Sequence, residues 1–217
     1  TDDKRNEFIL VADILGLESL ADAISHDAQE NETESAVLGP FFREGVPILP
    51  AGATISKRGD VDGPSALVRG RVTGPDGRPV AGALLDVWET GPDGLYEQQD
   101  PNQPDMNLRG KFQTDENGEY SFRAVRPVSY PIPYDGPAGD LLQLTGRHPF
   151  RPAHIHMVVA ATGCKKLISQ LYDSETEYLD SDSVFSVKGS LIIDFKPAPA
   201  ELGVRYLVEH DVALKAA

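Results

Sequence analysis

Two histidines separated by one residue, His154 and His156, lie in an apolar stretch that continues through residues 157–160. This stretch predicts a β-strand, and residues two apart on a strand point to the same face. Two neighbouring imidazoles in a protein interior are costly unless another group pairs with them, and a metal ion is the usual partner. The pair therefore indicates a metal site, although zinc, copper and iron sites all use it. Two hydrogen-bonded core histidines are the alternative.

Two tyrosines precede the histidines and could complete such a site. Tyr96 ends the sequence D-G-L-Y, which follows the D-V-W-E sequence of an apolar run, and Tyr130 begins Y-P-I-P-Y-D-G-P. Taken singly, each tyrosine is better explained as a half-buried ring with its hydroxyl in water. Together with R-P-A-H-I-H at residues 151–156, these motifs resemble the intradiol aromatic-ring dioxygenases, the non-haem iron(III) enzymes that cleave catechols between their two hydroxyls. The resemblance extends from about residue 4 to residue 195.

The resemblance implies that one iron(III) ion per chain is held by Tyr96, Tyr130, His154 and His156. Iron(III) is a hard, strongly charged ion, so anionic oxygen donors suit it better than thiolates. A phenol titrates near pH 10 in water, but a bound trivalent cation favours its phenolate form. The ligand set that the family implies therefore fits the metal that the family uses.

The resemblance also implies roles for three residues around the iron. Tyr130 would be the ligand that the substrate displaces and would then act as a base. Arg151 would stabilise negative charge that develops on the ring, and Gln170 would orient groups near the iron. The reaction would insert both atoms of O2 into a catechol-type ring and give a muconate-type dicarboxylic acid, which is maleylacetate when the ring is hydroxyquinol.

The residues that the resemblance places along the substrate pocket are Leu10, Asp13, Val37, Leu38, Gly39, Pro40, Phe41, Ile132, Pro133, Arg151 and Val184. The sequence of residues 34–42 resembles the hydroxyquinol and halocatechol branches more than the simple catechol branch. Asp13 could accept a hydrogen bond from a third ring hydroxyl, and it would repel the ring carboxylate of protocatechuate. An exposed helix aspartate is the alternative interpretation of Asp13.

Composition excludes several other classes of function. The chain has 217 residues, of which 40% are hydrophobic, and no apolar run approaches the length of a membrane span. A formal net charge of −14 argues against binding to nucleic acid or to an anionic membrane surface. The single cysteine, Cys164, excludes an internal disulfide and fits a reducing compartment, so we expect a cytoplasmic protein.

The pattern along the chain predicts a mainly β fold. Residues 3–26 have helical periodicity that Gly16 interrupts, and residues 27–35 form a polar, acidic break. Strands are predicted at residues 68–73, 83–88, 112–114, 120–122, 155–160, 166–171 and 191–195. Two turn sequences are typical of β-hairpins. G-P-D-G lies between the first and second predicted strands, and N-G lies between the third and fourth. The fold class is therefore an antiparallel β-sandwich with a short N-terminal helical segment, divided into residues 1–35 and a catalytic domain of residues 36–217.

Two expectations concern the surroundings of this domain. Residues 127–152 form a long stretch with little regular pattern, and such loops are usually functional. Members of the family carry further N-terminal helices that build a homodimer interface, and the resemblance here begins almost at Thr1, which leaves dimerisation open.

Two other function classes also stay open: a non-enzymatic, transthyretin-like β-sandwich binding module, suggested by residues 70–87, and a zinc hydrolase that uses the histidine pair.

Overall fold

The computed structural model describes residue 1, residues 6–26 and residues 31–217. Within these residues the helices are α1 (Glu7–Ile14), α2 (Leu17–Ser25) and α3 (Pro137–Leu144), with single 3-10 turns at Gly59–Val61, Gly189–Leu191 and Ala200–Leu202. The strands are β1 (Ser65–Thr73), β2 (Leu84–Trp88), β3 (Arg109–Gln113), β4 (Glu119–Val125), β5 (Tyr130–Pro131), β6 (Phe150–Arg151), β7 (His154–Ala160), β8 (Leu167–Asp173), β9 (Ile192–Ile193), β10 (Lys196–Pro197), β11 (Tyr206–Glu209) and β12 (Val212–Ala213).

These strands form two five-stranded sheets and one small ladder. In the first sheet β1 pairs antiparallel with β4 on one side and parallel with β11 and β12 on the other, and β10 extends β11. The second sheet has the order β3-β2-β7-β8-β9, and β5 pairs with β6 separately. The predicted mainly β sandwich is confirmed. The prediction that it is purely antiparallel is wrong, because β11, β12 and β9 return over long connections and join their neighbours in parallel.

The hydrophobic core lies between the two sheets, and strand periodicity decides which residues enter it. On β7, Ile155, Met157 and Val159 belong to this core, together with Leu85 and Phe122. The alternate residues of β7 point to the opposite face of the second sheet. That face is covered too, so β7 is buried on both sides and its sequence is almost continuously apolar.

The covering layer contains the N-terminal helices. As predicted, the helical segment is interrupted at Gly16, which has a φ of +71° and is the N-cap residue of α2. Helix α1 buries Leu10, Asp13 and Ile14, and the Glu7 carboxylate accepts a hydrogen bond from Ala138 N at the start of α3, at 2.8 Å. Residues 3–5 and 27–30 of the predicted helix and break lie outside the described residues. The domain boundary after residue 35 stays a prediction, and no helix in the described part of the chain is long and apolar enough to cross a membrane.

Three details of the predicted pattern are corrected. Neither turn sequence joins two strands that pair with each other, because β1 pairs with β4 and β2 pairs with β3. The G-P-D-G turn closes only one antiparallel bridge, between Thr73 and Pro79, and each turn then leads from one sheet to the other. Residues 127–152 are irregular over more than half of their length but also contain β5, β6 and α3, whose first residue is Pro137 after Gly136. Residues 191–195 contain only the two-residue strand β9, beyond the end of a 3-10 turn.

Candidate metal and active site

Four side chains from three parts of the chain meet on the covered face of the second sheet. His154 and His156 extend from the same face of β7, and their Nε2 atoms are 3.1 Å apart. The Tyr96 hydroxyl lies 3.0 Å from His156 Nε2 and 2.9 Å from the Tyr130 hydroxyl. Metal-ligand bonds to nitrogen and oxygen are about 2 Å long, so ligand atoms of one ion are about 3 Å apart. The four sequence-predicted donors therefore have the spacing of a single metal site.

Both histidines turn Nε2 towards this cluster, and His154 presents a lone pair there. His154 Nδ1 donates to Pro152 O at 2.7 Å, which assigns the tautomer whose Nε2 is an acceptor. Burial and the neighbouring positive charge of Arg151 lower the pKa of His154 to about 3. Burial and His154 likewise keep the pKa of His156 well below its usual range. Two neutral imidazoles that face one point can share a cation there, and this arrangement fits a metal ion.

The phenols need the same cation to ionise. Burial, followed by the neighbouring Tyr130, holds the pKa of Tyr96 well above its usual value, and burial also raises the pKa of Tyr130. A positive charge between the two oxygens would reverse both shifts. In residues 1, 6–26 and 31–217, no group of three or more His, Cys, Asp or Glu side chains could hold a metal. The donor set of this site thus depends on the tyrosines.

A buried ion pair lies beside the donor cluster. The Arg151 guanidinium donates to the Asp182 carboxylate through Nε at 3.1 Å and Nη2 at 3.3 Å, and both residues are at most 5% exposed. Its Nη1 lies 3.0 Å from His154 Nε2. Although burial alone raises the pKa of Asp182, the charge of Arg151 and the hydrogen bonds from Arg151 and Ser186 outweigh it and lower that pKa. Arg151 is consequently a fixed positive charge at the donor cluster.

Gln170 connects Arg151 to the loop before the pocket. It lies opposite His156 in the pairing of β8 with β7. Its Oε1 accepts hydrogen bonds from Arg151 Nη2 at 2.8 Å and from the Tyr172 hydroxyl at 2.7 Å, and its Nε2 donates to Val37 O at 2.6 Å. Gln170 therefore orients the arginine and the loop, without touching a donor atom itself.

A pocket opens beside the donors. Of the wall residues expected from the sequence, the structure brings together Leu10, Asp13, Gly39, Pro40, Phe41, Ile132, Arg151 and Val184, along with Tyr96, Tyr130 and His156. Three others do not line it: Val37, Leu38 and Pro133. Val37 and Leu38 act through their backbone, since Val37 O accepts from Gln170 and Leu38 N donates to the Glu18 carboxylate at 2.9 Å.

Known protein families and relatives match almost the whole chain. The family described as Dioxygenase matches residues 37–215, and the family described as Catechol dioxygenase N terminus matches residues 1–33. The chain is 46% identical to a catechol 1,2-dioxygenase of Candida albicans over 99% of its own length and 73% of the relative's. It is 47% identical to a hydroxyquinol 1,2-dioxygenase of a Rhizobium species, over 97% of this chain and 74% of the relative. The chain belongs to the intradiol ring-cleavage dioxygenases.

A solved structure extends the comparison to the backbone. The hydroxyquinol 1,2-dioxygenase of Pseudomonas putida superposes on this dioxygenase with a TM-score of 0.92 at 43% identity, over 100% of this chain and 78% of that one. The chain is therefore an intradiol dioxygenase in fold and in family. Of the two other function classes, the non-enzymatic binding module is excluded by this membership.

Four residues of the dioxygenase site were not assigned from the sequence. Asp182 and Ser186 hold the Arg151 guanidinium, with Nη2 donating to Ser186 Oγ at 2.6 Å. Tyr172 lies fully buried next to Gln170, and Trp88 stacks on His156. Trp88 belongs to the D-V-W-E motif, so its position next to a strand end was a usable signal. The acid and serine of the 182–186 loop have no distinguishing pattern, because only the folded chain brings them to Arg151.

Proposed function

We propose that this dioxygenase binds one iron(III) ion per chain through the phenol oxygens of Tyr96 and Tyr130 and the Nε2 atoms of His154 and His156. The observation that carries this proposal is the convergence of the four atoms, each 2.9–3.1 Å from a neighbour, around two neutral imidazoles. Two phenolates would balance most of the charge of the ion in a site with little water. When bound, iron(III) supplies a Lewis acid that takes up the catechol oxygens and makes the ring reactive towards O2.

Metal analysis of protein produced with adequate iron tests this proposal directly. We expect one iron per chain and a visible absorption band from tyrosinate-to-iron charge transfer. A protein with zinc at full occupancy and no visible band would contradict it and would favour the zinc-hydrolase alternative.

The two tyrosines differ in how firmly they are held, which supports separate roles. Phe41 stacks on the Tyr96 ring with 4.6 Å between the ring centroids, and Tyr96 is nearly inaccessible. Tyr130 lies on β5, a strand of two residues, opposite Arg151 on β6. We propose that Tyr96 stays in place while Tyr130 is displaced by the substrate and takes a hydroxyl proton at its phenol oxygen. The charge of Arg151, 3.0 Å from His154, would stabilise negative charge on the ring.

The proposed substrate is a catechol-type ring without a charged substituent, with hydroxyquinol preferred. The relatives include both catechol and hydroxyquinol dioxygenases at similar identity, so the preference depends on the pocket. Asp13 lines the pocket, and its Oδ1 is buried without a hydrogen-bond donor among the described residues. That oxygen could accept a hydrogen bond from the third hydroxyl of hydroxyquinol.

The charge state of Asp13 changes one part of the sequence argument. Burial and a hydrogen bond to Glu18 raise the pKa of Asp13 to about 9, so its carboxyl is neutral near neutral pH. A raised pKa weakens the charge repulsion of protocatechuate by Asp13 on which the sequence argument relied. Rejection depends instead on the cost of burying a carboxylate without a basic partner, since Arg151 is already paired with Asp182.

Comparing kcat/KM for hydroxyquinol, catechol, 4-chlorocatechol and protocatechuate tests the substrate proposal. We expect Asp13→Ala, which removes the acceptor, to reduce the advantage of hydroxyquinol over catechol by roughly 5- to 30-fold, equivalent to about 1–2 kcal/mol for one hydrogen bond. Asp13→Asn keeps an acceptor oxygen and should lose less. A wild-type preference for protocatechuate, or an unchanged ratio in Asp13→Ala, would overturn this assignment and leave the iron proposal standing.

The proposal also includes the cellular setting and assembly. A cytoplasmic location agrees with a single, half-buried cysteine, Cys164, and cell fractionation tests it. Nucleic acid is not an expected partner of so acidic a chain. Homodimerisation by the family route is tested by the sedimentation mass of the protein.

A further inference from the structure

The two histidines of the proposed iron site are held in different ways. His154 Nδ1 donates to Pro152 O at 2.7 Å, the kind of hydrogen bond that usually orients a metal-binding histidine. His156 Nδ1 is buried, and no described residue offers it a hydrogen-bond partner. No hydrogen bond at Nδ1 therefore helps to hold the His156 ring in the orientation in which Nε2 faces Tyr96 at 3.0 Å.

The His156 ring is instead packed against an indole. Trp88 lies beside His156 in the pairing of β2 with β7, and the two rings are parallel, with 4.6 Å between centroids and an interplanar angle of 5°. Trp88 is only 1% exposed, and Phe42 meets it edge-on at 5.3 Å. The indole therefore has little freedom to move, and it restricts the imidazole that lies on it.

A glycine limits the ring from another direction. Gly39 has a φ of +75°, and a Cβ at this position would lie 3.3 Å from His156 Cε1. A side chain at this position of the 37–41 loop would therefore be in tight contact with the imidazole. Rotation of the ring about its Cβ–Cγ bond would bring its atoms against the indole or this loop.

We propose that Trp88 is a positioning residue, which fixes the His156 imidazole for metal binding by parallel stacking in place of the missing Nδ1 hydrogen bond. This inference rests on the proposed iron site. Stacking of the indole on the imidazole costs folding free energy, because Trp88 Nε1 is itself buried without a hydrogen-bond partner among the described residues. A purely structural tryptophan at this position would not need to lie parallel to a ligand.

The test compares Trp88→Phe, Trp88→Leu and Phe112→Leu with the wild type. Phe112 is a matched control, because it is a buried aromatic residue of the inter-sheet core, stacked on Phe122 at 5.3 Å. Three quantities are measured: iron retained in competition with a chelator, the position of the tyrosinate-to-iron absorption band, and the unfolding midpoint of the metal-free protein.

We expect Trp88→Leu to weaken iron retention about tenfold and to shift the absorption band, as loss of an orienting partner does. Trp88→Phe keeps a flat ring over the imidazole and should recover most of the retention. Phe112→Leu should lower the unfolding midpoint and leave iron retention and the band unchanged.

Two results would overturn the inference: equal loss of iron in Trp88→Leu and Phe112→Leu, or no recovery in Trp88→Phe. Both can be observed only when the wild type holds iron with the expected band. A wild type without that iron would instead refute the proposed function, so the two failures are distinguishable.

Discussion

The Arg151–Asp182 pair allows the most quantitative prediction about this dioxygenase. Asp182→Asn preserves the size of the side chain but removes the negative charge from a pair whose members are 3% and 5% exposed. The Asp182 carboxylate also accepts hydrogen bonds from Ser186 N at 3.1 Å, Ser186 Oγ at 2.9 Å and Val184 N at 3.3 Å. An asparagine has one acceptor oxygen, and its amide would face donors. Arg151 would remain buried and uncompensated.

The size of the effect follows from that environment. Removing one partner of a buried ion pair costs about 3–5 kcal/mol of unfolding free energy, and the lower end applies because asparagine keeps some hydrogen bonds. For a chain of this size each kcal/mol lowers Tm by roughly 2–4 °C, so about 3 kcal/mol corresponds to roughly 6–12 °C. Because Arg151 would also move relative to His154, kcat should fall by roughly 10- to 100-fold.

The assay is thermal and urea unfolding of Asp182→Asn beside a matched surface variant. Glu119→Gln removes the same type of charge from a pair with Arg71, in which the side chains are 48% and 57% exposed. It should change the unfolding free energy by at most about 1 kcal/mol. The pKa of Asp182 is lowered in the folded protein, so its contribution is present at neutral pH and is lost only as the pH falls below about 4.

A second substitution shows whether the buried charge is the cause. Arg151→Gln added to Asp182→Asn removes the uncompensated guanidinium, and the double variant should be more stable than Asp182→Asn alone. The reasoning is refuted if Asp182→Asn costs less than about 1 kcal/mol, or if the double variant shows no recovery.

Four other predictions follow from the site. Tyr130→Phe should reduce turnover more than iron content, whereas Tyr96→Phe should reduce both; equal behaviour of the two in rate and metal assays would reject their separate roles. The pKa of Asp13 is raised from 3.8 to about 9 in the folded protein, so the wild type loses stability as the pH rises between these values, and Asp13→Asn should become more stable relative to it. Unfolding midpoints near pH 5 and pH 8 measure this trend, and a constant difference between the two proteins would contradict it. Iron loading should quench the fluorescence of Trp88, the single tryptophan of the chain, and unchanged emission would place the metal elsewhere. Gly39→Ala should cost about 1 kcal/mol or more, from its φ of +75° and its contact with the imidazole, and an unfolding midpoint equal to that of the wild type would disprove the close approach.

Much of the proposed site could be predicted because its chemistry depends on residue types and on their spacing along short segments. The separation of His154 and His156 by one residue fixes their common face on any strand, whatever the strand pairs with. The apolar neighbours of these histidines likewise predicted that the strand is buried. For the same reason the break between α1 and α2 was found at Gly16, which has the left-handed conformation that a glycine permits.

Sheet pairing, in contrast, was not predictable from the order of the strands. The turns at residues 74–77 and 117–118 have hairpin sequences, yet each joins strands in different sheets. Local backbone preference sets the bend, but burial of both inner faces decides which strand lies beside it. Parallel pairing of β1 with β11 connects segments about 140 residues apart in the sequence. The residue pattern of each strand does not indicate which residues of so distant a strand lie opposite it.

The sequence by itself determined the fold class and the family and indicated the proposed donors of the site, because each depends on short motifs or on periodicity along a single segment. Only the tertiary structure decided what surrounds the donors: the Asp182 carboxylate that neutralises Arg151, the burial that raises the pKa of Asp13 and the indole on which His156 lies. These depend on burial and on contacts between segments far apart in the chain, and both arise only when the layers pack together.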